Sequence, residues 1–164
     1  MKFAFKHWVG LTLTLGALWF QSTYAQHVHP PQSKLNVQVF DENTWKMLLQ
    51  TGPRPAAYLF TTSYCSTCPD AFSKIQAEVA RTGKKIPLAA VMMDVSGKQA
   101  LRHANHFKGL SLMYAFDGYE PAIRESVDPN WPNVTPYVVL IDQNGHLQRF
   151  IGPPSQMAFK KWLS

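Results

Sequence analysis

Cysteine is almost missing from these 164 residues: there are two, Cys65 and Cys68, and every thiol the chain owns lies within one four-residue stretch. Any internal disulfide therefore joins these two, and a closed tetrahedral zinc site would have to take two further ligands from elsewhere. Charge is also sparse, at 16% of residues against 46% apolar, which fits a globular chain and excludes a disordered one. The basic surplus is scattered, with no Lys/Arg cluster of the kind that tracks a phosphate backbone, so nucleic acid is not an expected partner. Lys84-Lys85 reads as a solvated turn. No internal repeat and no low-complexity tract occurs, and the length suits one domain with a proper core rather than two.

Acidic residues are absent before Asp41, and the first 25 positions are different in kind from the rest. Lys2 and Lys6 precede an uncharged stretch from Trp8 to Phe20, followed by Gln21-Ser22-Thr23-Tyr24-Ala25. A basic start, an apolar middle and a small-residue end form an export signal, with cleavage expected after Ala25. Retention as an anchor is the other reading, because residues 8–25 reach the lower limit of about 17 residues for a membrane span. Both place the remaining chain outside the cytoplasm. Removing Lys2 and Lys6 from the 16 basic groups leaves 14 against 10 acidic ones, a net +4. Residues 26–33, polar and proline-rich, read as a linker, and the domain is expected over 34–164.

Within that domain, hydrophobic periodicity alternates between strand and helix. Leu35, Val37 and Val39 alternate with polar residues as a first strand, and Asp41 is placed to cap a helix bearing Trp45, Leu48 and Leu49. The run from Ala56 to Thr62 is a strand buried on both faces, as in a parallel sheet. A helix is expected from Ser66 or Thr67 to Arg81, burying Phe72, Ile75 and Val79 and closed by Thr82-Gly83. Further strands are expected over 86–93 and 110–116, with helices over 97–107 and 121–127. Tyr137 to Ile141 and His146 to Ile151 flank Asp142-Gln143-Asn144-Gly145 as an antiparallel hairpin, and a last helix from Ser155 to Leu163 carries Met157, Phe159 and Trp162. That order gives an α/β fold with helices on both faces of a mixed sheet.

Three chemistries fit two thiols in this setting. A purely structural disulfide gains little, since closing so short a loop restricts the unfolded chain by roughly 2 kcal/mol, against about 4.7 for a hundred-residue loop. A metal site needs partners, for which His103 and His106, one helical turn apart, or His27 and His29 are the candidates. The third is thiol–disulfide exchange. A C-x-x-C between a buried strand and a helix N-terminus exposes the first sulfur to unpaired backbone N–H groups that favour its thiolate. Cys65 is then the attacking thiol and Cys68 the resolving one. No cofactor enters this reading. Trp131 and Tyr137 are candidates to line a groove for a partner chain, although aromatics in such a loop more often pack against the domain; Tyr64 is a further groove candidate, and Glu78 reads as a surface residue rather than a base.

Tyr58 to Cys68 resembles the strand-to-active-site segment of thioredoxin-like proteins, and Val134-Thr135-Pro136-Tyr137 through Gly145 is similar to their proline loop, next strand and hairpin, closest to the exported TlpA-like branch. The resemblance implies a thioredoxin-like three-layer α/β/α fold with a mixed central sheet and a TlpA-like strand–helix insertion between Gly109 and Val127. It also implies a cis Pro136 beside the redox pair, with Thr135 before it in the docking groove. Expected partners are protein thiol or disulfide substrates and a membrane or exported redox partner; the membrane itself enters only through an uncleaved N-terminus. The chain departs from the family in having Tyr64 where tryptophan is usual, Ser66-Thr67 between the cysteines, and Leu59 where many thioredoxins carry a buried acid. Copper-carrying SCO-like relatives share the fold but use a wider cysteine spacing and a histidine near the position held here by Thr135-Pro136. With no histidine between the cysteines to favour the thiolate, a reductant is expected over a strong oxidant.

Overall fold

A computed structural model describes residues 35–164. The expected export segment, the expected linker with His27 and His29, and their boundaries lie outside the described residues. Among those described, no helix is long and apolar enough to cross a membrane.

Six strands form one sheet: β1 (Val37–Phe40), β2 (Ala56–Thr61), β3 (Leu88–Met92), β4 (Leu112–Phe116), β5 (Tyr137–Ile141) and β6 (Leu147–Ile151). Their spatial order is β1-β4-β3-β2-β5-β6. β1, β4, β3 and β2 pair in parallel, while β5 runs antiparallel to β2 and β6 antiparallel to β5. The expected extra strand, β4, enters the sheet between β1 and β3 rather than at its rim. Every residue of β2, β3 and β5 is buried, as their continuous apolar runs require of strands covered on both sides.

Alternate residues of these strands feed two cores. Tyr58, Phe60, Val91, Tyr114, Tyr137 and Val139 face α1 (Thr44–Thr51) and α4 (Glu120–Val127). Leu59, Ala90, Val138 and Leu140 face α2 (Cys68–Thr82) and α5 (Gln156–Leu163). Met92 and Met113, of the same parity, face α3 (Gly97–His103), which continues as a 3₁₀ turn over Ala104–His106. The result is the expected three-layer arrangement.

Local differences from the sequence reading have physical causes. Asp41 does cap the first helix, accepting from the Thr44 N–H (2.9 Å) and hydroxyl (2.8 Å), and these bonds hold its carboxyl below the usual range. In β1, Leu35 and Val37 pack beneath α3, yet Val39 is exposed and Phe40 is fully buried in the aromatic core on the other face. On α5, Phe159 and Trp162 are buried, but Met157 is 80% exposed, so the helix face turns one residue later than expected. Its start is set by Ser155, whose hydroxyl accepts from the Ala158 N–H.

Candidate active site

β2 delivers the chain to the carboxyl end of the parallel strands, where α/β sheets hold their reactive groups. Past Thr61 the chain turns, with the Cys65 N–H donating to the Thr62 carbonyl (3.2 Å) and the Cys68 N–H to the Cys65 carbonyl (3.3 Å). α2 then starts at Cys68, one or two residues later than expected, with Pro69 in its first turn where a missing N–H leaves no bond unmade. Ala71, Phe72, Ile75 and Val79 bury its apolar face. Each large side chain among them contributes about 1.5–3 kcal/mol, which fixes the helix and the sulfur at its tip. Gly83, at φ +66°, ends it in a left-handed conformation that a side chain disfavours.

Cys65 and Cys68 are joined as a disulfide, with Cα atoms 5.5 Å apart. Their environments differ: Cys68 is fully buried in the α2 core and Cys65 is partly open. Although Cys65 precedes the helix, the bond to Cys68 holds its sulfur at the helix N-terminus, where the unpaired N–H groups favour an anionic sulfur once the bond opens. Asp94, just past β3, accepts from the Ser63 N–H (2.9 Å) and hydroxyl (2.5 Å) and so ties the loop to the neighbouring strand end.

The Thr135–Pro136 peptide is cis. Tyr137 pairs with Phe60 in the β5–β2 ladder, so Pro136 stands at the same end of the sheet as the cysteine loop, and its carbonyl accepts from the Gly152 N–H (2.8 Å). Pro136 is buried, Thr135 half-buried and Tyr64 79% exposed.

No protein-family profile matches the chain, and no curated protein matches it. Solved structures do. The thioredoxin domain of a thiol-disulfide oxidoreductase from Bacteroides vulgatus is 12% identical, over 66% of this chain and 76% of that one, with a TM-score of 0.50. A thio-disulfide isomerase from Thermus thermophilus is 18% identical over 69% and 79%, TM-score 0.49. A thioredoxin-related protein from Neisseria meningitidis is 16% identical over 70% and 86%, TM-score 0.49. The chain has the thioredoxin fold.

Within this thioredoxin fold, Trp131 takes the inward of its two expected places rather than the groove. It is 5% exposed, stacked on Tyr137 with ring centres 4.2 Å apart and edge-on to Phe60, so it lines no groove. Instead its indole N–H donates to the Val134 carbonyl (3.0 Å) and supports the loop before Pro136 from beneath. The Tyr137 hydroxyl donates to Asp128, which also accepts from the Asn130 N–H and lies 3.7 Å from Arg149. Burial raises the Asp128 carboxyl, but these three partners outweigh it and the net shift is downward. Burial, then the adjacent carboxylate, push the Tyr137 hydroxyl well above its ordinary range.

Leu59 is buried in the same cluster as Cys68, so apolar atoms occupy the surroundings of the Cys68 sulfur. Glu78, ten residues on, is roughly 15 Å along the helix axis from Cys68. It is bonded to Arg81 (2.5 Å) and Gln156 (2.7 Å), linking α2 to α5 rather than serving the thiols.

Beside Cys65 lies a cavity of about 320 Å³, lined among others by Tyr64, Met92, His103, His106 and Phe107. The two histidines, named from the sequence as candidate metal partners of the thiols, thus lie in the surroundings of Cys65. Asp94 and Asp128 were missed: each acts on a loop through a partner distant in sequence or hidden by an irregular turn. A second cis peptide, Arg54–Pro55, had only its proline as a signal.

Proposed function

We propose that the chain is an exported thiol–disulfide oxidoreductase that reduces protein disulfides. The observation that carries this reading is the asymmetry of the linked pair: a partly open sulfur at a helix N-terminus bonded to a fully buried one. In the reduced protein the Cys65 thiolate attacks a substrate disulfide, forming a mixed disulfide and expelling one substrate thiolate. Cys68 loses its proton and attacks the Cys65 sulfur, releasing the second substrate thiol and restoring the intramolecular disulfide. Two electrons pass to the substrate, and an exported dithiol partner returns them. The half-buried Thr135 and the exposed Tyr64 form the surface on which the substrate chain docks, and the buried Pro136 shapes the loop beneath it.

The absence of a histidine between the cysteines supports the reducing direction, because nothing within the motif strongly stabilises the reduced form. Residues 1–25 supply export, by cleavage after Ala25 or by anchoring. Equilibration with glutathione followed by thiol trapping tests the reading: a reversible Cys65–Cys68 couple is expected. No such couple, or a potential above about −150 mV near the strong-oxidant end, would overturn it or its direction respectively.

A further inference from the structure

The cavity beside Cys65 gathers an unusual set of donors. Of the side chains on its wall, Cys65, Met92, His103 and His106 carry a sulfur or an imidazole nitrogen, and no carboxylate shares the wall with them. Thiolate and imidazole suit both zinc and copper, a thioether adds a soft donor that suits copper(I), and magnesium, calcium and manganese prefer oxygen.

The backbone sets the two imidazoles up as a pair. α3 ends at His103, and the next three residues tighten into a 3₁₀ turn closed by the Phe107 N–H on the Ala104 carbonyl (3.0 Å). In a 3₁₀ turn residues three apart eclipse one another, where an α-helix would offset them. Phe107 pins the turn by packing on Phe72 of α2, ring centres 5.2 Å apart. With metal–nitrogen bonds of about 2.0–2.1 Å, an imidazole centre lies roughly 3.2 Å from its ion, so two rings on one tetrahedral ion have centres about 5.2 Å apart. Those of His103 and His106 are 5.8 Å apart. A small rotation of either side chain brings both onto one ion.

We infer that reduction of the disulfide converts this cavity into a copper(I) site, held by the Cys65 thiolate, His103 and His106, with the Met92 thioether behind them. In the disulfide form the Cys65 sulfur is committed to Cys68, and among the described residues no group of three His, Cys, Asp or Glu side chains is arranged to hold a metal. Because the Cys65 sulfur is free to bind a metal only after reduction, the proposed site is gated by redox state. A dithiol donor delivers two electrons and two protons to the disulfide and becomes a disulfide itself; copper(I) then displaces the Cys65 proton to solvent, with no change in its own oxidation state. Cys68, fully buried, stays outside the coordination sphere. Bound copper blocks the attacking sulfur, so metal and substrate disulfide compete for one atom.

This inference rests on the oxidoreductase reading only for the donor that opens the disulfide, and chemical reduction replaces that donor in the test. Reduced full-length protein is titrated anaerobically with copper(I) against a chromophoric chelator, and with zinc(II) in parallel. One equivalent of copper(I) is expected, bound by the reduced and not the oxidised form. Cys65→Ser abolishes it, Cys68→Ser retains it, and His103→Ala with His106→Ala weakens it more than about tenfold. Copper affinity unaltered in the double-histidine variant, dependence on Cys68, or zinc bound as tightly as copper would each overturn the assignment. A reversible glutathione couple without copper binding sinks this inference alone; copper binding without that couple sinks the oxidoreductase reading alone.

Discussion

Replacing Tyr137 by phenylalanine isolates the one ionic hydrogen bond that braces the proline loop. The ring stays, and with it the 4.2 Å stack on Trp131; what goes is the hydroxyl that donates to Asp128. A hydrogen bond to a charged group contributes about 1.5–3 kcal/mol, and phenylalanine leaves no buried donor stranded. For a domain of about 130 residues each kcal/mol moves the melting temperature by about 4 °C, so Tyr137→Phe is expected to melt about 6–12 °C lower at neutral pH. The sign of the pH dependence follows from Asp128, whose folded carboxyl lies below its ordinary value of 3.8. A depressed carboxyl stabilises the fold above its unfolded pKa and loses that contribution as pH falls through the folded value. Urea denaturation of both proteins should therefore give a constant gap from pH 7 to about 5. Below about pH 4 it should narrow towards the 0.5–1.5 kcal/mol of a neutral hydrogen bond. A gap under about 0.5 kcal/mol at pH 7, or one that is flat or grows into acid, would refute the reasoning.

Three other perturbations probe the thiols and the docking surface. Cys68→Ala removes the resolving sulfur and should accumulate a mixed disulfide between Cys65 and a protein substrate, read by non-reducing electrophoresis and mass spectrometry; the absence of any adduct would deny Cys65 the attacking role. Leu59→Asp places a carboxyl beside Cys68 and should speed resolution of a preformed mixed disulfide by about tenfold or more near neutral pH, at a stability cost of about 2–5 kcal/mol. An unchanged resolution rate in stopped-flow would show that proton removal from Cys68 is not slow. Tyr64→Ala alters a side chain that is 79% exposed, so stability should move by no more than about 0.5 kcal/mol. Reduction of a protein disulfide should nevertheless slow several-fold while glutathione exchange is unaffected; equal effects on both substrates would remove Tyr64 from the docking surface.

What periodicity could register, it registered. Ala56–Thr61 and Tyr137–Ile141 were legible because a strand covered on both faces must be apolar at every position, and the proline before Tyr137 is marked by its own sequence context. Trp131 was left between groove and core because its loop has no period; only the Phe60 and Tyr137 rings, delivered by two different strands, show that it points inward. Asp94 is 31 residues from the Ser63 it holds, and His103 is separated from Cys65 by a whole strand–helix unit. Such pairings are made by the parallel crossovers, and no local window contains both partners.

β2 shows why the two halves of the site can be perturbed separately. Successive side chains of a strand point to opposite faces, and here that parity divides the work: Leu59 enters the core that holds Cys68, while Phe60 enters the core that holds Trp131 and Tyr137. The Cys68 sulfur and the brace beneath the Pro136 loop thus belong to different packed layers on opposite faces of the sheet. Tyr137→Phe should accordingly leave the glutathione potential unchanged, and Leu59→Asp should leave the acid sensitivity of the Asp128 brace unchanged. Their stability effects should add within about 0.5 kcal/mol in the double variant, as for sites without shared partners. A larger coupling energy would mean that the sheet transmits strain from one layer to the other, and that proline-loop docking and thiol resolution form one cooperative unit.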